Sequence, residues 1–458
     1  MQLTPSFLPL LLQFSGNFTQ PTSVTFVALM TGWLLSHRHR FITELIQSSA
    51  STHTGHHSRY HRFFSHAAWS LDAIGCTLAR FLVVVFAPTG LVTLAVDDTL
   101  CRKRGLNVYG TGMHYDPLLS SKALKVCSWG HDWVVLCLLV RYCPWAPSKV
   151  WALPLLFRLY RNRQGLTKGK KGKKGKSKSK KQAADPNHRT RPELAREMIA
   201  LLAGWFPDRQ FVVSGDSAYG GKSVLQHLPN NVDLLSRVVP TGVLYAPAPP
   251  PLPTDKGRPR KKGKRLGGMA EWAADASQAW QELVFDQFGL HATLQVKTRQ
   301  ALYYGTGKDR LLTVVLVRDV LGKRPDQMFY CTCLCWDART LLSHYSARWA
   351  IEVTFENAKQ LLGLEDAANR LPKAVLRTAP WALLLYSLVV AWYHLEGHPW
   401  ERFPDRPWYR RKKEPSFADM LSTLRRRSWE SLFAGVVPEG TPAKKSVDWL
   451  IDFASRAG

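Results

Sequence analysis

Two predominantly apolar runs that end on acid constrain this chain's fold more than any other feature. Leu91–Val96 closes on Asp97-Asp98, and Gln210–Ser214 leads into Gly215-Asp216. A short apolar run of this kind reads as a buried strand, so each predicts a strand meeting an acidic edge. Carboxylates at the ends of neighbouring strands converge on one point and repel unless a cation neutralises them. Hard oxygen ligands of this kind suit Mg²⁺ or Mn²⁺. An Asp at a strand end also commonly caps a turn or a helix, so these positions alone do not make a site.

The surrounding pattern places the two runs in a mixed α/β domain. Residues 1–90 read as a helical region with a basic, His-rich stretch from His37 to Arg62. Residues 91–239 contain further strand-like runs at Val108–His114, Trp133–Val140 and Val150–Tyr160, then a helix at Arg191–Trp205 and another from about Gly221. Between them Lys168–Lys181 is almost entirely Lys, Gly and Ser, the composition of a solvated loop that can bind phosphates without sequence preference. Residues 240–310 form an insertion opening on Pro240–Pro253 and the basic loop Lys256–Arg265, with strand character at Ala301–Tyr304. Residues 311–395 return to the core through Leu311–Val317 and Met328–Cys335, followed by a long helix over Ala338–Leu362 and another over Val375–Leu395. A tail, 396–458, carries the basic clusters Arg410–Lys413 and Arg425–Arg427. Strands alternating with helices around an inserted segment predict a mixed sheet flanked by helices.

Charge narrows the partner. Lys and Arg number 62 against 34 acidic residues, a formal net charge of +28. Self-repulsion on that scale opposes compaction unless a polyanion offsets it, so nucleic acid leads, with a membrane surface or ribosome behind. No membrane span is expected. Phe81–Val96 is broken by Pro88-Thr89-Gly90, and Trp381–Tyr393 is too short. The apolar stretch Phe7–Leu12 has no Lys or Arg before Arg38, unlike a signal peptide, and reads as a packing helix. The eight cysteines form no disulfide framework, and Cys331, Cys333 and Cys335 alternate as on one strand face. Structural thiols in a reducing cytoplasm fit that pattern.

The helix over Ala338–Leu362 is more informative. At about 100° per residue, Tyr345, Arg348, Glu352 and Lys359 fall within a stripe roughly 60° wide, and Glu356 shares it. One reading is a solvated face with Arg348 bridging Glu352 at i, i+4. The other is a carboxylate for metal flanked by cations and a phenol for phosphate. Geometry chooses neither between these readings nor between Glu352 and Glu356. Two metal ions on such carboxylates suit phosphodiester chemistry, one activating water or a 3′-hydroxyl and one stabilising the leaving oxygen.

The spacing Tyr345-x2-Arg348-x3-Glu352-x6-Lys359, preceded in order by Ala95-Val96-Asp97-Asp98-Thr99 and Ser214-Gly215-Asp216-Ser217-Ala218-Tyr219, resembles the bacterial insertion-sequence DDE transposases with a YREK motif. The likeness runs from about Leu91 to Arg370. It implies a ribonuclease H-like catalytic core with a β-rich insertion, and a triad of Asp97, Asp216 and Glu352 as both catalytic and metal-binding residues. Glu352 is preferred over Glu356, and Asp97 over Asp98 because Thr99 lies two places on. It further implies Mg²⁺ or Mn²⁺ as cofactor, with Tyr345, Arg348 and Lys359 contacting DNA. Expected partners are double-stranded DNA, comprising the element's terminal inverted repeats and the target, and a second copy of the chain in a paired-end complex. The implied activity is cut-and-paste transposition at the cytoplasmic nucleoid. The alternatives are a nuclease without strand transfer or a transposase-derived DNA-binding protein. In such enzymes an aromatic from the insertion commonly stacks on a flipped base, for which Trp272, Trp280 and Trp336 stand as candidates beside ordinary core roles. His114, Asp116, His131 and Asp132 read as turn or strand-edge residues. Residues 1–90 are the expected reader of the DNA ends, with the basic tail as rival.

Overall fold

The computed structural model describes residues 3–50, 55–162, 188–251, 258–287, 290–403, 412–434, 436 and 440–456. The expected loop Lys168–Lys181 and the first two residues of Arg410–Lys413 lie outside these. The described residues open with the α-helices α1 (Leu8–Leu12), α2 (Gln20–Leu35), α3 (Ile42–Ser48), α4 (Ser58–Ser65) and α5 (Leu71–Phe86). The core follows with β1 (Val92–Arg102), β2 (Gly112–Tyr115), β3 (Cys127–Cys143), β4 (Ala146–Tyr160), α6 (Arg191–Trp205), β5 (Phe211–Gly215), α7 (Lys222–Leu225) and β6 (Val232–Arg237). The insertion contributes β7 (Val243–Tyr245), β8 (Arg265–Gly268), α8 (Met269–Ala274), β9 (Gln281–Gln287), β10 (Leu290–Leu302) and α9 (Tyr304–Gly307). The chain ends with β11 (Leu311–Asp319), β12 (Gln327–Cys331), α10 (Ala338–Ser346), α11 (Ala350–Leu362), α12 (Pro372–Trp392), α13 (Phe417–Phe433) and α14 (Pro442–Arg456).

The twelve strands of the described residues share one mixed sheet, in the order β2-β3-β1-β5-β6-β12-β11-β10-β7-β8, with β4 on the outer side of β3 and β9 on β10. β1, β5 and β6 run parallel, β3 runs antiparallel beside β1, and β4 runs antiparallel to β3. This is the expected ribonuclease H-like arrangement, a mixed sheet flanked by helices. The insertion extends the same sheet instead of forming a separate one.

Side-chain chemistry fixes the helices that matter for the site. Thr190 and Glu193 form a capping box that starts α6, with Glu193 Oε2 accepting from the Thr190 amide at 2.7 Å. Asp337 starts α10 by accepting from the Thr340 amide at 2.8 Å. The expected single helix over Ala338–Leu362 is two helices joined by a 3₁₀ turn at Ala347–Trp349. No Gly or Pro marks that turn, so the sequence carries no breaker signal there.

The N-terminal and C-terminal helices pack together around α12. One hydrophobic cluster runs from Leu3 through Leu424, and the Trp33 indole donates to the Leu362 carbonyl at the end of α11 at 2.8 Å. Helical structure from Pro372 to Trp400 is long and apolar enough to cross a membrane by composition, yet 94% of its apolar window is buried inside the fold. Burial on all sides is what an all-round apolar helix requires in a protein core. The tail differs from the basic surface its composition suggested. Arg425 is buried and donates to the carbonyls of Leu34 at 2.9 Å and Ser36 at 2.8 Å, and Arg426 is buried beside Trp400.

Candidate active site

Asp97 and Asp98 sit within β1 rather than at its end, because the strand continues to Arg102 through pairing with β3 (Asp97↔Val135, Asp98↔Val134). Successive strand residues face opposite sides of a sheet, and the two carboxylates meet different partners. Asp97 Oδ2 takes Arg348 Nη1 at 2.5 Å. Asp98 Oδ1 accepts from the Tyr219 hydroxyl at 2.6 Å, and its Oδ2 lies 3.4 Å from Arg191 Nε.

Asp216 follows β5 directly, beside β1 (Val96↔Gly215). Its Oδ1 accepts from the Ala218 amide at 2.9 Å, and its carbonyl from the Ser236 hydroxyl at 2.7 Å. The side chain thus closes its own turn and holds the strand end in place. Glu352 projects from the first turn of α11, with Arg348 Nη2 3.5 Å from its Oε1. Arg348 therefore links a carboxylate of β1 to one of α11. Glu356 is exposed and accepts from Gln360 Nε2 at 3.2 Å, away from this group.

The electrostatics show that the three carboxylates share one neighbourhood. Burial pushes Asp97 up to about 7 against the pull of Arg348, and the charges of Asp98 and Asp216 push the same way. Burial also raises Glu352, with Arg348 opposing and Asp216 adding to the rise. Asp97 and Glu352, both raised by burial and by the Asp216 charge, lack positive charge for full ionisation. Among the described residues, no group of three His, Cys, Asp or Glu side chains is arranged as a ligand set, and Arg348 occupies one face of Asp97.

Of the three other residues on the stripe, two join the site. The Tyr345 ring packs edge-on against Phe329 at 4.7 Å, and the Arg348 guanidinium lies 5.7 Å from its centroid. Lys359 instead donates from Nζ to the Leu100 carbonyl of β1 at 2.7 Å, pinning α11 to the sheet. It also lines a cleft of about 580 Å³ with His37, Arg38, His39 and Gln360.

Sequence reasoning missed the network behind Asp98. Arg191 pairs with buried Asp132, stacks over Tyr160 at 4.3 Å, and shares Asp98 with Tyr219. Burial raises Asp98, with the Asp132 charge adding to it. His114 lies 3.6 Å from Asp132, both fully enclosed. Asp116 is held by Arg102 at 2.7 Å, which keeps its carboxyl far below the usual range. The capping box at Thr190–Glu193 could have located Arg191 at a helix start, but nothing in the sequence gave its partners.

The candidate stacking aromatics divide by burial. Trp272 is only 1% exposed and lies under Arg299, 3.8 Å from its ring, so it is a core residue. Trp280 is half-buried between Lys297 and Arg318, at 4.8 and 4.3 Å. Trp336 stacks on His344 at 4.3 Å. The cysteines also depart from expectation. β12 ends at Cys331, and Cys333 and Cys335 lie in the following turn with their sulfurs 2.9 Å apart.

No curated protein matches the chain. A family profile described as DDE superfamily endonuclease matches residues 13–307, well over half of the chain. Asp97, Asp98 and Asp216 fall inside the matched stretch, and Glu352 lies beyond it. With the mixed sheet and acidic strand ends already in view, the match identifies the chain as a member of the DDE superfamily endonucleases.

Proposed function

We propose that this endonuclease is a DNA transposase of the YREK insertion-sequence type, cutting the ends of its own element and joining them to target DNA. The observation that carries the reading is the meeting of Asp97, Asp216 and Glu352 around Arg348. Three carboxylates without a soft ligand fit Mg²⁺ or Mn²⁺ in donor chemistry. The raised proton affinities of Asp97 and Glu352 are of the kind that added positive charge would relieve. When bound, a pair of such ions would supply an activated attacking oxygen and stabilise the leaving one in an in-line displacement.

The rest is done by the chain itself. Asp97 on β1 and Asp216, directly after the adjoining β5, give a rigid pair, since both strands are locked in the sheet. Glu352 closes the group from α11, whose distance from β1 is set by Lys359 on the Leu100 carbonyl. In this reading Arg348, which holds Asp97 with Tyr345 packed beside it, exchanges that carboxylate for a DNA phosphate. Asp98 belongs to the Arg191–Tyr219 network and supports the strand. The exposed cations Arg38 and Arg62, with His39, His56 and His57, give residues 1–90 the surface for reading the ends. A homodimer brings two ends together at the nucleoid.

Cleavage of a labelled duplex carrying the element's ends, with Mg²⁺, tests the reading. Wild type should cut and then join target DNA, whereas Asp97→Ala, Asp216→Ala and Glu352→Ala should bind without cutting. Cutting without joining would make the protein a nuclease. Binding without cutting in either Mg²⁺ or Mn²⁺ would make it a DNA-binding descendant of transposases. Cutting by Asp97→Ala would move the first ligand to Asp98.

A further inference from the structure

The insertion carries a second charged surface that the carboxylate site does not use. From Arg258 to Arg265, six of eight residues are cationic. Among the described residues, Arg265 alone of this run makes an ion pair, gripping Glu271 through two contacts of 2.6 and 2.7 Å, while the Asp309 carboxylate lines one concavity with Arg258, Arg260 and Lys261. Arg258, Arg260, Lys261, Lys262 and Lys264 are all exposed.

These charges sit on a fixed scaffold. β7 pairs with β8 (Val243↔Gly268), the Ala246 amide donates to the Lys264 carbonyl at 2.8 Å, and the Gly263 amide to the Ala246 carbonyl at 2.9 Å. The approach at Gly263 is so close that a Cβ there would lie 2.3 Å from the Pro247 carbonyl oxygen. Lys262 Nζ is held 3.8 Å from the Tyr245 ring and 5.0 Å from that of Tyr304. Two concavities of about 430 and 340 Å³ flank Lys261 and Lys262, the first lined by Arg258 and Arg260. Holding five exposed cations within seven residues on a rigid turn costs electrostatic free energy that a polyanion offsets.

Sheet topology separates this face from the carboxylates. β7 meets β10 at Leu302, whereas Ser214, two residues before Asp216, is in register with Leu235, Cys331, Thr313 and Gln300 across the intervening strands. Between β5 and β7 lie five inter-strand steps, roughly 24 Å at about 4.8 Å each. The basic face is therefore five strands across from β5, beside the β8 edge of the sheet.

We propose that this face grips the phosphate backbone of a second duplex DNA segment, distinct from the one cut at the carboxylates. The proposal rests on DNA being the substrate, but its test needs no cleavage. Binding of a random-sequence 30-base-pair duplex is followed by fluorescence anisotropy across a KCl series with EDTA present. Comparison is between wild type, Glu352→Gln, and a variant combining Arg260→Ala, Lys261→Ala, Lys262→Ala and Lys264→Ala. Four lost phosphate contacts should lower the slope of log affinity against log salt by about 3 to 4, and reduce affinity at least roughly tenfold near 0.1 M salt. Glu352→Gln should bind as wild type does, and replacing the three lysines by arginine should preserve binding. An unchanged slope in the alanine variant, with an unchanged melting temperature, overturns the proposal. Preference for duplex RNA of the same length also overturns it. A catalytically inert protein that still shows the slope change would sink the transposase reading and leave this one standing.

Discussion

Arg348 Nη1 lies 2.5 Å from Asp97 Oδ2, across 251 residues of sequence, while its other nitrogen reaches Glu352 at 3.5 Å. One guanidinium thus balances a carboxylate from the sheet and one from the helix. Removing it should leave Asp97 with burial and two like charges, opposed by the hydrogen bond from the Asp98 amide. Arg348→Ala is expected to lower end cleavage by tenfold or more and to displace its pH profile upward. Arg348→Lys keeps the charge but not the fork, and should recover the pH profile better than the rate. If Arg348→Ala cleaves with the wild-type profile, the pairing has no bearing on the reaction.

Asp97 is held up to about 7 by burial, so it retains a proton through mildly acid conditions. Proton and cation then compete for the same oxygens. The Mg²⁺ concentration for half-maximal cleavage should rise as pH falls below about 7 and level off above it. A requirement for Mg²⁺ that stays flat from pH 6 to 8 would remove Asp97 from the ligand set.

The same shift makes a stability statement. Between the ordinary carboxylate value and about 7, the folded chain keeps a proton on Asp97 that the unfolded chain releases. Stability contributed by this group is therefore full at low pH and is lost as pH rises through that window. Asp97→Asn, neutral throughout, should melt a few degrees above wild type at pH 8, by less at pH 5 and no higher than wild type below about pH 3, and fail to cleave. Equal melting temperatures at pH 8 would mean that Arg348 fully neutralises the charge.

Local patterning was enough to read β4, α6, β5, β11 and α12 to within a few residues, because each is bounded by turn residues, a cap or a change in hydrophobic period. The fixed spacing of Tyr345, Arg348, Glu352 and Lys359 located the acid-bearing helix. Long-range pairing left no such trace. That β1 runs on past Asp97 depends on β3 lying alongside it, and that Asp98 turns to Arg191 depends on α6 crossing the sheet. The burial of Arg425 against the Leu34 and Ser36 carbonyls is likewise invisible to composition, which counts a cation as surface. The 3₁₀ turn at Ala347–Trp349 shows the limit of periodicity, since a stripe drawn for one continuous helix spans two.

The end of α11 offers a test of how firmly the site is held. Gly363 terminates the helix at φ +64°, and the Leu364 amide returns to the Ala358 carbonyl at 3.0 Å. A Cβ at this position would lie 2.3 Å from Asp366 Oδ2, the atom that accepts from the Arg40 amide at 2.9 Å. Gly363→Ala must therefore meet both the left-handed penalty and the displaced carboxylate. A loss of about 1–3 kcal/mol in denaturant unfolding is expected. Gly204, near the end of α6, is the matched control, since nothing lies within 4 Å of its Cβ position. Gly204→Ala should be neutral or stabilising by up to about 1 kcal/mol. Because α11 carries Glu352 and is tied to β1 by Lys359, Gly363→Ala should also slow cleavage, and Gly204→Ala should not. Equal effects of the two substitutions on stability would mean that the helix end adjusts freely and does not fix Glu352.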